Sequence, residues 1–151
     1  MHITGSPLAT AHVRSINRSI LILDRINGAL HLSGLTKCTV VAATRQFRLH
    51  DSRDVDVYLR CASEPVIEDC EDVRFAPLVG SVDTAEGGRS DEGPNSWDQV
   101  KDFKWLADGV NPHWRRLEDR ERVDDGVWEE VLTAPEGTGT EELLRLVRKG
   151  T

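Results

Sequence analysis

Short apolar runs alternate with polar residues along the first half of the chain. The runs are rich in β-branched residues, and Gly, Asn, Asp and Ser separate them, which are residue types typical of turns. This pattern predicts short β-strands joined by polar corners. The runs occupy residues 19–23, 29–32, 39–42, 47–50, 55–59, 65–68 and 73–75.

The runs form two interleaved series, with starts near residues 20, 39 and 56 and near residues 29, 47 and 66. A repeat of 17 to 19 residues with two or three short strands is typical of a solenoid of stacked coils. A parallel β-helix fits better than a sandwich, because the tight two-residue turns of hairpins are mostly absent. The expected inward side chains are Leu30, Leu32, Val40, Phe47, Leu49, Val57, Leu59 and Ile67, joined by Cys38, Cys61 and Cys70.

One predicted strand, residues 44–50, carries the candidate chemistry. Successive side chains of a strand point to opposite faces, so Gln46, Arg48 and His50 share the face opposite Phe47 and Leu49. The simplest interpretation of such a row is a solvated strand face. Glu68 follows Arg48 by 20 residues, about one coil, so we expect the two side chains side by side and outward.

Three parts are predicted along the chain: a flexible lead-in over 1–12, the β-helix with a Trp-rich terminal segment over 13–117, and a charged linker with a C-terminal helix over 118–151. Residues 79–95 have no apolar period and are predicted to be a loop. Ser96 and Gln99 have capping-box spacing, which predicts a helix ending near Asp108 with Val100, Phe103 and Leu106 on its apolar face. Residues 140–149 predict a second helix.

Composition excludes several functional classes. Residues 1–75 carry nine basic and nine acidic residues, which cancel. The net charge of −7 therefore comes entirely from residues 76–151, which carry 10 basic and 17 acidic residues. An acidic chain is a poor general binder of nucleic acid. No apolar run approaches a membrane span, and the first residues have no signal-peptide pattern. The three cysteines have neither CxxC nor zinc-finger spacing, which favours buried, reduced thiols over disulfides or a metal site.

Known catalytic motifs are also missing. The sequence contains no phosphate-binding loop of the GxxxxGK[ST] type, no HExxH and no GxSxG. A carbohydrate-active β-helix would need a long groove with paired carboxylates, for which about three coils are too short. What remains is Arg48, held on a strand beside Gln46 and His50. An arginine presented rigidly is what a GTPase needs from an activating partner, because the transition state spreads negative charge over the γ-phosphoryl oxygens.

The sequence resembles the C-terminal domain of tubulin-binding cofactor C over about residues 13–117. The resemblance is carried by segments that occur in the same order, and the downstream part looks like the terminal segment of that family. These segments are 35–42 (LTKCTVVA), 45–51 (RQFRLHD), 56–59 (DVYL), 65–69 (PVIED), 73–77 (VRFAP), 97–106 (WDQVKDFKWL) and 111–114 (NPHW).

The resemblance implies a right-handed parallel β-helix that acts in tubulin folding as a GTPase activator. By motif match the arginine finger is Arg48, with Gln46 and Glu68 as supporting residues. The implied partners are tubulin, at the β-tubulin GTP site, and the other tubulin-folding cofactors, with no nucleic acid and no membrane. No cofactor or metal is implied, since the GTP is bound to the partner. The implied location is the cytoplasm, in association with the cytoskeleton.

Two departures from the family leave alternatives open. Some members have Gln where this chain has Arg45, so no fixed role is carried to that position. The chain also begins without the helical region that binds tubulin in cofactor C, so it is either a fragment or a protein with this domain alone. The alternatives are a sister branch, including the retinitis pigmentosa 2 protein, that acts on Arf-like small GTPases, and a non-catalytic binding module. The absence of an N-terminal Met-Gly lipidation signal argues against the membrane-anchored sister branch.

Overall fold

The structure of the chain is a computed structural model. This structure describes residues 2–3, 8–78, 95–107 and 109–123, together with the single positions Val127, Gly139, Glu142, Leu143 and Val147. The loop predicted over 79–95 and the helix predicted over 140–149 lie almost entirely outside these residues. Within them, no helix is long and apolar enough to cross a membrane.

The chain forms a parallel β-helix, as the repeat predicted. All strand pairs among the described residues are parallel, and the central strands β3, β4, β5 and β6 pair with strands of the coils before and after them. The long strand β3 pairs in turn with β2, β4 and β5, so it passes through more than one coil of the solenoid. The strands are β1 (His2–Ile3), β2 (Leu8–Asn17), β3 (Ile20–His50), β4 (Arg53–Cys61), β5 (Val66–Glu68), β6 (Glu71–Pro77), β7 (Lys101–Asp102) and β8 (Trp114–Arg116), followed by a 3-10 helix at Asp119–Glu121.

The strand register gives the length of each coil. His12 pairs with His31, Thr36 with Arg53, and Arg48 with Val66, which are steps of 19, 17 and 18 residues. Strand β2 begins at Leu8, so regular structure starts within the predicted lead-in, while the division of the chain into three parts stays a prediction.

The corners of the coils are set by residues in the left-handed backbone region. Asp is among the few non-glycine residues that visit this region readily, and it recurs here at coil spacing. A Cβ on Gly34 would lie 3.4 Å from the backbone nitrogen of Ser15 on the preceding coil, so this corner favours glycine. Two stacked columns result: Ser15, Gly34, Asp51 and Asp69, and Arg18, Lys37, Asp54 and Asp72.

The interior of the solenoid is the main core. Each expected inward side chain is buried, including the three cysteines, which are free thiols. Phe47 and Phe75 meet edge to face at 6.0 Å, and Phe75 meets Trp114 in the same way at 5.9 Å, so aromatic packing continues to the last coil. Trp97, which is partly buried, also packs against this core.

A second apolar cluster lies on the outside of the solenoid. It joins outward residues of successive coils, such as Val41, Tyr58 and Ala76, to Leu117 and Val123 from the segment that follows β8. Val147 is buried in the same cluster. The Tyr58 hydroxyl accepts a 3.1 Å hydrogen bond from the Val123 backbone N–H. Leu117, Val123 and Val147, described residues of the C-terminal segment, therefore cover one outer face of the β-helix.

The helix predicted from Ser96 is wrong. Trp97 and Asp98 form a turn, and the chain then enters β7. The backbone N–H groups of Lys101 and Phe103 donate to the carbonyls of Pro65 and Ile67, at 2.8 and 3.1 Å. The strand is favoured over a helix because β5 would otherwise present an unpaired edge. Phe103 and Leu106, predicted to lie on the apolar face of the helix, are 55% and 93% exposed.

Candidate functional site

The polar row predicted on residues 44–50 lies on an outer face of the β-helix that we call the Arg48 face: His12, His31, Gln46, Arg48, His50 and Glu68. The alignment of these side chains follows from the first column of left-handed corners, at residues 15, 34, 51 and 69. The residue three positions before each corner occupies the same place on its coil. These residues therefore follow one another along the axis of the solenoid: His12, His31, Arg48 and Val66.

Arg48 points outward, as predicted, because its neighbours Phe47 and Leu49 are buried in the core. Its register partner on the next coil is Val66. Within the part of the chain that the structure describes, no hydrogen bond or ion pair engages its guanidinium. A partly exposed arginine on a paired strand is thus held at its backbone and free at its tip.

Glu68 is on the adjacent coil and the outward side, as predicted, but it does not lie directly beside Arg48. It is the register partner of His50, because this coil is 18 residues long and not 20. The Glu68 Oε2 atom lies 3.7 Å from His50 Nδ1, and Oε1 lies 3.8 Å from Lys104 Nζ. Glu68 is therefore displaced by two residues along the strand from Arg48.

Gln46 and Arg45 are both exposed at the start of the same strand segment. The Gln46 carbonyl accepts a 3.0 Å hydrogen bond from the Thr44 hydroxyl, and the Arg45 carbonyl accepts bonds from the Ser63 N–H and hydroxyl at 3.1 and 2.8 Å. These contacts fix the backbone that presents both side chains.

Two histidines continue the Arg48 column toward the N-terminus. The rings of His12 and His31 stack at 4.5 Å with an interplanar angle of 3°. Burial lowers the pKa of His31, and the nearby His12, Arg48 and His50 lower it further. The sequence analysis did not single out His12 and His31, although their spacing of 19 residues, one coil, was a usable signal.

A closed ion cluster was also missed from the sequence. The Arg74 guanidinium contacts Asp56, Asp54 and Asp72, the last two at 2.5 and 2.7 Å. Burial alone would lower the pKa of Arg74, but the three carboxylates raise it. Arg74 and Asp56 are both buried and the guanidinium is already engaged by carboxylates, so we assign this cluster to the fold and not to ligand binding.

A second buried carboxylate caps the last coil. Asp102 points inward, with a side chain only 2% exposed, and its Oδ2 lies 2.5 Å from His113 Nδ1. It also accepts hydrogen bonds from the Asn111 side chain and the Lys104 backbone. The hydrogen bond to Asp102 raises the pKa of His113. These partners are all internal, so we assign the pair to packing of the end of the solenoid.

Metal and thiol chemistry find no support in the described residues. None of their His, Cys, Asp and Glu side chains form a group of three that could hold a metal ion. Burial raises the pKa of the Cys61 thiol, and it raises that of Cys70 to about 11. Thiols held in the protonated form are poor nucleophiles and metal ligands.

Comparison with known proteins places this geometry in context. The family model described as "Tubulin binding cofactor C" matches residues 3–103. The chain is 37% identical over 100 residues to tubulin-folding cofactor C of Arabidopsis thaliana, which covers 64% of this chain and 29% of the relative. It is 34% identical over 102 residues to tubulin-specific chaperone C of Mus musculus, with 64% and 30% covered. The chain thus spans less than a third of these relatives.

Two further similarities bear on the site. The chain is 29% identical over 119 residues to human Protein XRP2, which covers 76% of this chain and 30% of that protein. The structure of tubulin binding cofactor C from Leishmania major is similar with a TM-score of 0.64 and 26% identity, over 78% of this chain and 86% of that one.

Proposed function

The chain belongs to the tubulin binding cofactor C family, and from that premise we propose that it activates GTP hydrolysis by tubulin, with Arg48 as an arginine finger. The observation that carries the proposal is the state of Arg48, whose backbone is fixed in a strand and whose guanidinium has no partner among the described residues. An arginine that only supported the fold would be paired, as Arg74 is.

The chemistry follows from the charge of the transition state. Negative charge spreads over the γ-phosphoryl oxygens as the bond to the leaving group breaks, and a guanidinium can donate two parallel hydrogen bonds to it. The guanidinium stays charged at neutral pH. Because the backbone of Arg48 is already fixed in a strand, little further conformational entropy is lost when the side chain enters the partner's site. An arginine supplied in this way accelerates turnover by about 10³–10⁵.

Gln46 and Glu68 are proposed as supporting residues with different tasks. Gln46 is exposed on the same face, two residues before Arg48, and can hold a loop of the partner or orient a water molecule. Glu68 is displaced from Arg48 and contacts His50 and Lys104, so we assign it to ordering this edge of the face. A direct bond from Glu68 to the guanidinium would require Arg48 to change rotamer on docking.

The test is GTP turnover by purified tubulin together with the other tubulin-folding cofactors, with and without this chain. Arg48→Ala should abolish the stimulation, and Arg48→Lys should restore little, because lysine lacks the planar fork. Arg53→Ala is the matched control, since Arg53 is an exposed arginine on another strand. Wild-type stimulation by Arg48→Ala would refute the assignment.

A second candidate is activation of an Arf-like small GTPase, and the similarity to Protein XRP2 is the observation that favours it. The same variants in a turnover assay with a purified Arf-like GTPase separate the two. Stimulation of that GTPase and not of tubulin would select this candidate. Binding to tubulin that survives Arg48→Ala, without stimulation by the wild type, would instead favour a non-catalytic binding module.

A further inference from the structure

The Arg48 face extends beyond the proposed finger. The stacked rings of His12 and His31 lie in the same column as Arg48, on the two preceding coils. Neighbouring coils are about 4.8 Å apart, so the column from His12 to Arg48 is about 10 Å long. Arg14 lies two residues along the strand from His12, in the column that contains His50 and Glu68.

Three basic groups of this face, His12, His31 and Arg48, have no acidic partner among the described residues, whereas His50 on the same face contacts Glu68. Among the described residues, no carboxylate lies within ion-pair distance of His12, His31 or Arg48. By contrast, Lys101, Lys104, Arg116 and Arg120 are each paired with Glu64, Asp69, Asp98 and Glu118, at 3.2, 2.8, 3.1 and 2.7 Å. In an acidic protein, a column of basic side chains that no internal carboxylate engages favours the approach of negative charge from a partner.

We propose that the His12–His31 pair is a second recognition position of this face, which docks carboxylates on the protein surface around the partner's nucleotide site and takes up protons from solvent as it does so. This inference rests on the proposed function, because the finger must approach that site. A column about 10 Å long is longer than one phosphate group, whereas separate carboxylates on a protein surface can meet successive coils.

The groups around His31 explain the coupling to protons. Burial and the neighbouring His12, Arg48 and His50 favour neutral His31 in the free chain, and Glu68, the carboxylate of this face, contacts His50. A docked carboxylate reverses that field. The chain contains an internal example of this effect, since Asp102 raises the pKa of His113. Because docking raises the pKa of His31, affinity should increase as the pH falls from about 7.5 to about 5.5.

The probe is hexaglutamate, titrated into the whole chain while the histidine ring resonances are followed by NMR at several pH values. The His12 and His31 resonances should shift, and the pKa of His31 should rise by about one unit, which corresponds to tenfold tighter binding of the protonated form. The His113 resonance should not move, since its partner is internal. An unchanged His31 pKa, or a larger change with tripolyphosphate at equal ionic strength, would overturn the inference.

Variants separate this position from general electrostatics. The double variant His12→Gln and His31→Gln should bind hexaglutamate without pH dependence over this range, and Arg120→Gln, which removes a cation outside the face, should keep it. An equal loss of pH dependence in the double variant and in Arg120→Gln would refute the inference. A response of His31 without any GTP stimulation would support the His12–His31 pair as a carboxylate-binding position and reject the proposed function. Arg48-dependent stimulation of GTP turnover without a response of His31 would support the proposed function and reject the inference about the His12–His31 pair.

Discussion

Two outer faces of this β-helix are built from the same repeat, but one is covered by other parts of the chain and the other is accessible. On the face that carries Tyr58, the C-terminal segment covers the apolar side chains, and the Arg74 guanidinium is surrounded by three carboxylates. On the Arg48 face the basic groups stay accessible and Arg48 has no internal partner among the described residues. The comparison teaches that an arginine engaged by internal carboxylates contributes to the fold, whereas an arginine without an internal partner is what the proposed function requires.

The largest expected effect concerns the covered face. Arg74→Ala removes the cation that three carboxylates share in a partly buried cluster. We expect the free energy of unfolding to fall by about 3–5 kcal/mol, because removing one partner of a buried ion pair is strongly destabilising. Urea denaturation followed by circular dichroism measures this loss. A loss below 1 kcal/mol, on the order of a surface substitution, would break the distinction between the faces.

A smaller effect is expected at Tyr58. Tyr58→Phe removes the acceptor of the Val123 N–H, which should lower the free energy of unfolding by about 1–2 kcal/mol. Burial raises the pKa of Tyr58 to about 12, above the ordinary value of 10.0. Its contribution is therefore present below about pH 10 and is lost as the pH rises from 10 to 12.

Tyr58 is the only tyrosine, so the ultraviolet absorbance of tyrosinate reports it alone. Its titration should have a midpoint near pH 12 in the folded chain and near pH 10 in concentrated urea. A midpoint near 10 in both would show that the C-terminal segment does not cover this residue in solution.

The smallest effect on stability is expected on the Arg48 face. Arg48→Ala should change the free energy of unfolding by less than about 0.5 kcal/mol, because the guanidinium has no internal partner to lose among the described residues. The same substitution should have the largest effect on GTP turnover. Urea denaturation of this variant beside Arg74→Ala sharpens the comparison, and a destabilisation equal to that of Arg74→Ala would assign Arg48 to the fold instead.

Sequence patterns predicted much of the fold but less of the site. The repeat of apolar runs and the alternation around Phe47 and Leu49 were enough to predict stacked coils and an outward Arg48. The position of Glu68 was misjudged by two residues, because coil lengths vary from 17 to 19 and small offsets decide which side chains meet. The capping pattern at Ser96 failed because the open edge of β5 offered hydrogen bonds that a helix could not use.

The sequence by itself determined the alternation of inward and outward side chains, since that depends only on strand geometry and on which residues avoid water. Tertiary structure decided which outward residues become neighbours and which outer face is covered. Those outcomes depend on coil length, on the corner residues and on the path of the segment after Arg116, all of which combine contacts distant in sequence. Arg74 and Arg48 are both outward arginines in strands, and only the carboxylates that the coils bring to one of them tell the two apart.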